Sequence, residues 1–301
     1  MRASTLGWIW LAQGIGGCSP ALTKLALAGL GPFALVVARQ VLGTLFLLAL
    51  GRMSSELRGG APGAAPPWTR RDWALLLALS WAGFALPQIL GALGLARSSA
   101  THGALLSPLE PIGILIGAAL VLREPLGLAH VLAGGLGVLG TVMIVLSSAN
   151  DPGTGDLRGD LVMAAGHLCW ALYTLTAKPL VERHDPLRVA IRAGALSWIP
   201  LLPLAANEPF DAARALPALG WVVLLALLAS GLGAVAWNRA LREVSAATMA
   251  IFVFVQPVVG LAVGRFALGE PAGGLAMLGA ALIVLGVALA TWRERAVVAA
   301  S

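Results

Sequence analysis

Charge is what this sequence has least of. Only 11% of its 301 residues are Asp, Glu, Lys or Arg, against about 25% in a soluble domain. With 58% hydrophobic residues and a mean hydropathy of +0.88, too little polar surface exists to cover the apolar chain in water. A soluble globular fold is excluded. Cysteine is scarce too: Cys18 and Cys169 stand far apart inside apolar runs, so spacing supports neither a disulfide nor a zinc site. No metal or other cofactor is expected. A basic stripe interleaved with exposed aromatics is also missing. The net charge of +6 therefore does not point to a nucleic-acid partner; the basic residues fall in short connections between apolar runs, where they set orientation in a bilayer. Ile15-Gly16-Gly17-Cys18 has the outline of a lipoprotein processing site. The apolar run continues to Ala28, however, longer than a cleaved signal's apolar region, and the first helix is expected to be retained.

What the chain has is long apolar runs. A spanning helix needs about 20 largely apolar residues, and candidates lie at Leu6–Ala28, Pro32–Leu50, Trp73–Leu95, Ala100–Leu122 and Leu126–Ser147. Five more lie at Asp160–Leu180, Leu187–Leu204, Leu216–Ala236, Ala246–Leu268 and Pro271–Trp292, the run after Leu187 being interrupted by Pro200 and Pro203. Backbone polar groups in hydrocarbon must be satisfied within the segment, so these are helices. The expected fold is all-α and integral to the membrane, with ten transmembrane helices. If the N-terminus is cytoplasmic, fourteen of the twenty Lys and Arg residues fall on the cytoplasmic side. The bias places both termini in the cytoplasm and the chain in the plasma (inner) membrane as a multi-pass protein. Residues 51–72, with a Gly- and Pro-rich stretch at 59–67, read as a flexible cytoplasmic linker.

The fourth and fifth runs repeat in the ninth and tenth at an offset of 146. Ser99-Ala100 matches Ser245-Ala246, Pro111 matches Pro257, Glu124-Pro125 matches Glu270-Pro271, and Val138-Leu139-Gly140 matches Val284-Leu285-Gly286. A weaker match at offset 154 joins Lys24 and Pro32 to Lys178 and Pro186. Two units are expected, at residues 6–147 and 160–292. Five helices is an odd number, so the second unit must enter the membrane inverted, which creates a midplane site between halves that can open to either side.

These residues resemble the EamA-type family of the drug/metabolite transporter superfamily over about residues 6 to 292. The marks are Trp237-Asn238-Arg239-Ala240-Leu241, Ser245-Ala246-Ala247, Gln256-Pro257-Val258 and Leu268-Gly269-Glu270-Pro271. The first half echoes them as Leu95, Ser99-Ala100, Leu109-Glu110-Pro111 and Arg123-Glu124-Pro125. The resemblance implies a ten-helix fold, a cavity lined mainly by helices 1, 3, 4, 6, 8 and 9, and export or exchange of small metabolites, amino acids among them. It carries no catalytic signature, and no enzyme activity is expected.

The expected substrate-binding residues are Gln13, Gln88, Glu110, Trp170, Tyr173, Trp237 and Gln256, with Pro108, Pro111 and Pro257 as helix breaks. Glu110 falls about midway along its run, where an acid must face a cavity, find a partner or be protonated; it reads equally as a substrate or proton-coupling group and as a structural residue beside a kink. Trp170, Tyr173 and Thr174 form one helical face, suited to an organic substrate or to helix packing. Arg39, one to two turns inside its helix, is expected to snorkel to the outer interface, the alternatives being to pair with Glu110 or to receive an anionic group, and His102 and His167 are lesser proton-carrier candidates. Glu124 and Glu270, each followed by Pro, read as charges at helix N-termini. Gly113, Gly117, Gly260 and Gly264 offer small-residue faces for packing within the chain or for a homodimer, so monomer and homodimer both stand.

The expected function is secondary transport of small organic metabolites by alternating access, foremost export of amino acids or related compounds, with protons as a possible coupling ion. Other cargo (sugar phosphate, nucleotide-sugar, cationic drug) is the alternative, and a membrane-embedded lipid-modifying enzyme a more distant one.

Overall fold

The structure, a computed structural model, describes residues 2–53, 66–95, 97, 106–148, 156–267 and 273–300. Among them every regular element is helical. Helix α1 is Ala3–Leu27 and α2 is Pro32–Met53. Helix α3 runs through Arg70–Ala78, a π-helical stretch Leu79–Ala85, and Leu86–Leu95. Helices α4, α5 and α6 are Leu109–Leu120, Leu128–Ser148 and Leu157–Arg183. Helix α7, Pro186–Ser197, continues through a 3₁₀ turn at Ile199–Leu201 into Leu202–Ala206, broken where Pro200 and Pro203 remove backbone donors. Helix α8 comprises Ala212–Leu225, a π-helical stretch Ala226–Gly233, and Ala234–Glu243. Helix α9 is Ala246–Val253 and Val255–Ala267, and α10 is Gly274–Ala300.

Seven of these rods, α2, α3, α5, α7, α8, α9 and α10, are long and apolar enough to cross a membrane, and the described part of α4 is apolar but shorter. Helices α1 and α6 have 25 and 27 residues but fall short on composition. Each exchanges apolar residues for polar ones, Gln13, Ser19, Thr23 and Lys24 in α1 and Asp160, His167, Lys178 and Glu182 in α6.

The principal packing joins the first part of the chain to the second. Helix α1 lies along α8 and α9, while α6 lies along α3 and α4; α2 crosses α8, and α7 crosses α3. Helices α5 and α10 form another extensive pair. A Cβ placed on Gly279 would stand 2.5 Å from the carbonyl oxygen of Gly140, and one on Gly286 would stand 3.0 Å from that of Ala133. The two helices therefore run antiparallel, with backbones close enough that only small residues fit. Gly140 and Gly286 are counterparts at the 146-residue offset, as are Ala133 and Gly279. The two contacts exchange under that offset, as a two-fold axis between α5 and α10 requires.

Both π-helical stretches fall at equivalent places, in α3 and α8, with no proline inside either. Nothing in the residue pattern announced them. In α3 the stretch presents Gly83 to α6, where a side chain would meet the backbone of Tyr173 at 2.7 Å. The breaks in α4 and α9 also correspond. A proline cannot supply the amide donor for the carbonyl four residues earlier; at Pro111 that carbonyl is Ser107's, which accepts from Glu110 N at 3.2 Å instead, and at Pro257 it is Val253's. The chain turns at Ser107 and Pro108 in one case and at Phe254 in the other. Glu110 accordingly lies in the first turn of α4, and its counterpart Gln256 lies in the first turn of the second segment of α9.

The expected linker is narrower than residues 51–72. Gly51–Met53 end α2, and Trp68 stacks on His184 with ring centroids 4.0 Å apart. Thr69 caps α3 by accepting from Asp72 N, while the Asp72 carboxylate accepts from Thr69 N, the reciprocal capping box. Residues 54–65 lie outside the described residues, as do His102, Asp151, Ser99-Ala100 and Glu270-Pro271.

Candidate functional site

A cavity of about 750 Å³ opens among α1, α2, α3, α4, α5, α6, α8 and α9. It lies toward the end of the bundle where α1 finishes, since Ser19, Thr23 and Lys24 line it. The opposite end is filled by Leu180, Val181, Leu241, Ala246 and Ala247, all buried. Hydrogen bonds lock that end. Lys178 Nζ donates to the carbonyls of Leu241 at 2.9 Å and Val244 at 2.8 Å, closing the C-terminus of α8, and pairs with Glu182 at 3.1 Å. Glu124 accepts from Ala246 N at 2.9 Å and Ala247 N at 3.0 Å. It thus serves the N-terminus of α9, not that of the helix following it in sequence. Arg123 makes this possible by taking a left-handed φ of 57°, a conformation disfavoured by about 1–2 kcal/mol outside glycine. Asp72 is within 3.3 Å of both Arg183 and His184, and Thr5 donates to Glu243.

Nine of the ten residues expected at the site line the cavity: Gln88, Glu110, Trp170, Tyr173, Trp237 and Gln256, with Pro108, Pro111 and Pro257. Gln13 does not. It is fully buried behind the wall, where its Oε1 accepts from Gln256 Nε2 at 2.9 Å. Its role is to hold α1 against α9 and orient the Gln256 amide. Tyr173 combines both of the readings open to it: it lines the cavity, yet its hydroxyl donates to Asn238 Oδ1 at 3.1 Å. Trp170, Tyr173 and Phe84 form a three-membered cluster with centroids 5.5 to 6.2 Å apart, edge to face, the arrangement aromatic quadrupoles favour. Phe84 was not anticipated; it reaches the cavity from the π-helical stretch of α3.

Three buried polar atoms on cavity-lining residues have no hydrogen-bond partner among the described residues: Gln88 Oε1, Thr174 Oγ1 and Trp237 Nε1. Buried polar atoms are nearly always satisfied, and these three, closed off from solvent here, are exceptions on residues that border the cavity.

Arg39 corrects the sequence reading. It is 5% exposed, lines the cavity, and donates from Nε to Ser230 Oγ at 3.0 Å. It does not reach out to the surface as a snorkelling side chain would: it is buried at the cavity wall and held there by Ser230. Among the small-residue faces, Gly113 and Gly117 pack on Ala171 and Leu175 of α6, whereas Gly260 meets nothing within 4 Å and borders the cavity. His167 also lines it.

The EamA-like transporter family matches the chain twice, over residues 4–146 and 157–292. A probable terminal-alkyne amino-acid exporter of Streptantibioticus cattleyicolor is 28% identical over 249 residues, covering 80% of this chain and 82% of that one. The uncharacterized transporter YyaM of Bacillus subtilis is 28% identical over 205 residues, and the match spans 66% of each chain. An uncharacterized transporter of Archaeoglobus fulgidus is 26% identical over 217 residues, 72% of this chain and 77% of its own. A solved crystal structure superposes with a TM-score of 0.76 at 22% identity, covering 99% of both chains, which establishes likeness of fold alone.

Proposed function

This chain belongs to the EamA-like transporter family, and on that premise we propose that it carries small zwitterionic organic solutes, amino acids foremost, out of the cell by alternating access. Two inverted five-helix halves, residues 6–147 and 160–292, make ten spans of the inner membrane with both termini in the cytoplasm. The cavity of about 750 Å³ is then the outward-open state, and the end locked by Lys178 and Glu124 faces the cytoplasm. The single observation carrying this reading is that the cavity wall comes in offset counterparts. Glu110 and Gln256 line it, as do Pro111 and Pro257, and Pro108 and Phe254. A pocket shared between paired elements and closed at one end is what a carrier needs to expose the same site to either side. The volume suits one small organic molecule. The aromatic cluster supplies apolar contact, and Gln88, Glu110, Gln256 and Trp237 supply orientation. The chain works without a catalytic group. Glu110, the acid of the site, is the coupling position for a proton.

Counterflow in proteoliposomes against a labelled amino-acid panel tests this reading. Uptake of at least one amino acid is expected, and Glu110→Gln is expected to flatten its pH dependence. Movement of a sugar phosphate or an inorganic ion with no amino acid would overturn it.

A further inference from the structure

We propose that Arg39, held by Ser230, is the receptor for the carboxylate of the transported solute. The proposal deepens the amino-acid reading and rests on it for the identity of the solute, though not for the existence of the anion site. A guanidinium has five N–H donors in a planar fork. Ser230 engages Nε alone. The end bearing both Nη groups is the edge that grips a carboxylate with two parallel bonds. No other hydrogen bond of Arg39 is seen among the described residues, and no carboxylate lies within 4.0 Å of it there. A buried cation ordinarily has a counter-charge; here it faces a cavity instead.

The local architecture serves this placement. Ser230 belongs to the π-helical stretch of α8, the kind of local widening found at functional sites. Gly43, one turn beyond Arg39 on α2, meets Ser230 so closely that an added Cβ would lie 2.7 Å from the serine Cβ. The glycine lets α2 and α8 approach, and the approach brings the hydroxyl to Nε. Fixing that edge orients the rest of the fork. Glu110 lines the same cavity. A solute carrying a carboxylate and an ammonium therefore finds the buried Arg39 for the one and Glu110 for the other, the exposed Lys24 adding positive charge to the same cavity, with the aromatic cluster left for its side chain.

The test compares amino acids with their carboxamides, which keep the shape and the ammonium but lack the anion. Wild type is expected to prefer the acid by about tenfold or more in counterflow, since a site built for a polar group strongly rejects an analogue lacking it. Arg39→Gln should abolish that preference. Arg39→Lys, which keeps charge without the fork, should restore part of it. Ser230→Ala leaves the charge in place and frees Nε, so it should raise KM severalfold with kcat little changed; this milder variant guards against loss of fold in Arg39→Gln. Thermal stabilisation of the detergent-solubilised protein by the same acids and by N-acetyl amino acids gives a readout free of transport. Equal preference for acid and carboxamide in wild type, or acid stabilisation that survives Arg39→Gln, would overturn the proposal and leave amino-acid transport standing. Arg39-dependent stabilisation by N-acetyl amino acids in a protein that moves no amino acid would do the reverse. Stabilisation by phosphate esters alone would sink both.

Discussion

At the end of the bundle where α1 begins, Lys178 is buried and holds two carbonyls of α8; at the other end its repeat counterpart Lys24 is exposed and borders the cavity. The same contrast runs through the glycines. Gly140 is locked against α10, while Gly260 has open space before it. Glu110 and Gln256 differ too: the glutamine is tethered to Gln13, and the glutamate borders the cavity. In each pair one residue is thus tied to a neighbouring helix, and the other borders the cavity with no such tie among the described residues. A substitution's effect should follow from which kind of position it touches, on stability where the residue is tied and on transport where it is open.

Lys178→Met is the sharpest test. It leaves two carbonyls at the C-terminus of α8 without their donor, at about 1–3 kcal/mol each, so a loss of roughly 3 kcal/mol is expected in thermal unfolding of the solubilised protein. No change in melting temperature would break the contrast at its strongest point. Gly140→Ala comes next. Its added methyl meets the carbonyl of Gly279 and the side chain of Ile283, backbone that cannot give way cheaply, and about 1–3 kcal/mol should be lost. Gly260→Ala should cost under about 0.5 kcal/mol. Equal losses in the two glycine variants would mean that the open space at Gly260 carries no meaning. Glu124→Gln should cost about 1–2 kcal/mol, because an amide accepts from Ala246 and Ala247 less strongly than a carboxylate does and offers one oxygen in place of two.

These magnitudes also indicate how far the residues alone could lead. The membrane class was legible because composition settles it, and the cavity residues Glu110, Gln256, Pro111 and Pro257 were legible because a repeat marks equivalent positions without reference to structure. Arg39 was not. Its helix α2 is apolar on nearly every face, so no periodicity distinguishes inward from lipid-facing sides, and depth near a helix end favoured snorkelling. Gln13 misled for the same reason: a polar residue inside an apolar helix is turned inward, but a bond to a neighbouring helix satisfies it as well as a cavity does. Glu124 was recognised as a charge for a helix N-terminus, yet which helix depends on the left-handed turn at Arg123, and arginine is not a residue that signals one. The π-helical stretches have no sequence mark at all. Phe84, which one of them delivers to the cavity, and Ser230, which the other delivers to Arg39, were therefore invisible.

The smallest effect on stability should come from Lys24→Met, and it bears most directly on mechanism. Lys24 is solvent-facing, so its removal should change thermal unfolding by less than about 0.5 kcal/mol. If the halves exchange roles during transport, however, the end now open must close by the contacts now seen at the closed end. There Lys178 donates to Leu241, whose counterpart at offset 146 is Leu95 at the C-terminus of α3. Lys24 would then donate to the last carbonyls of α3 in the closed state, a bond that exists only after the solute is enclosed. Losing it penalises one state and not the other, so counterflow should slow by about tenfold, equivalent to 1.4 kcal/mol, with KM for the solute largely kept. A variant that transports at the wild-type rate would show that Lys24 and Lys178 are counterparts in sequence only. One that unfolds as readily as Lys178→Met would show that the open end depends on its lysine already.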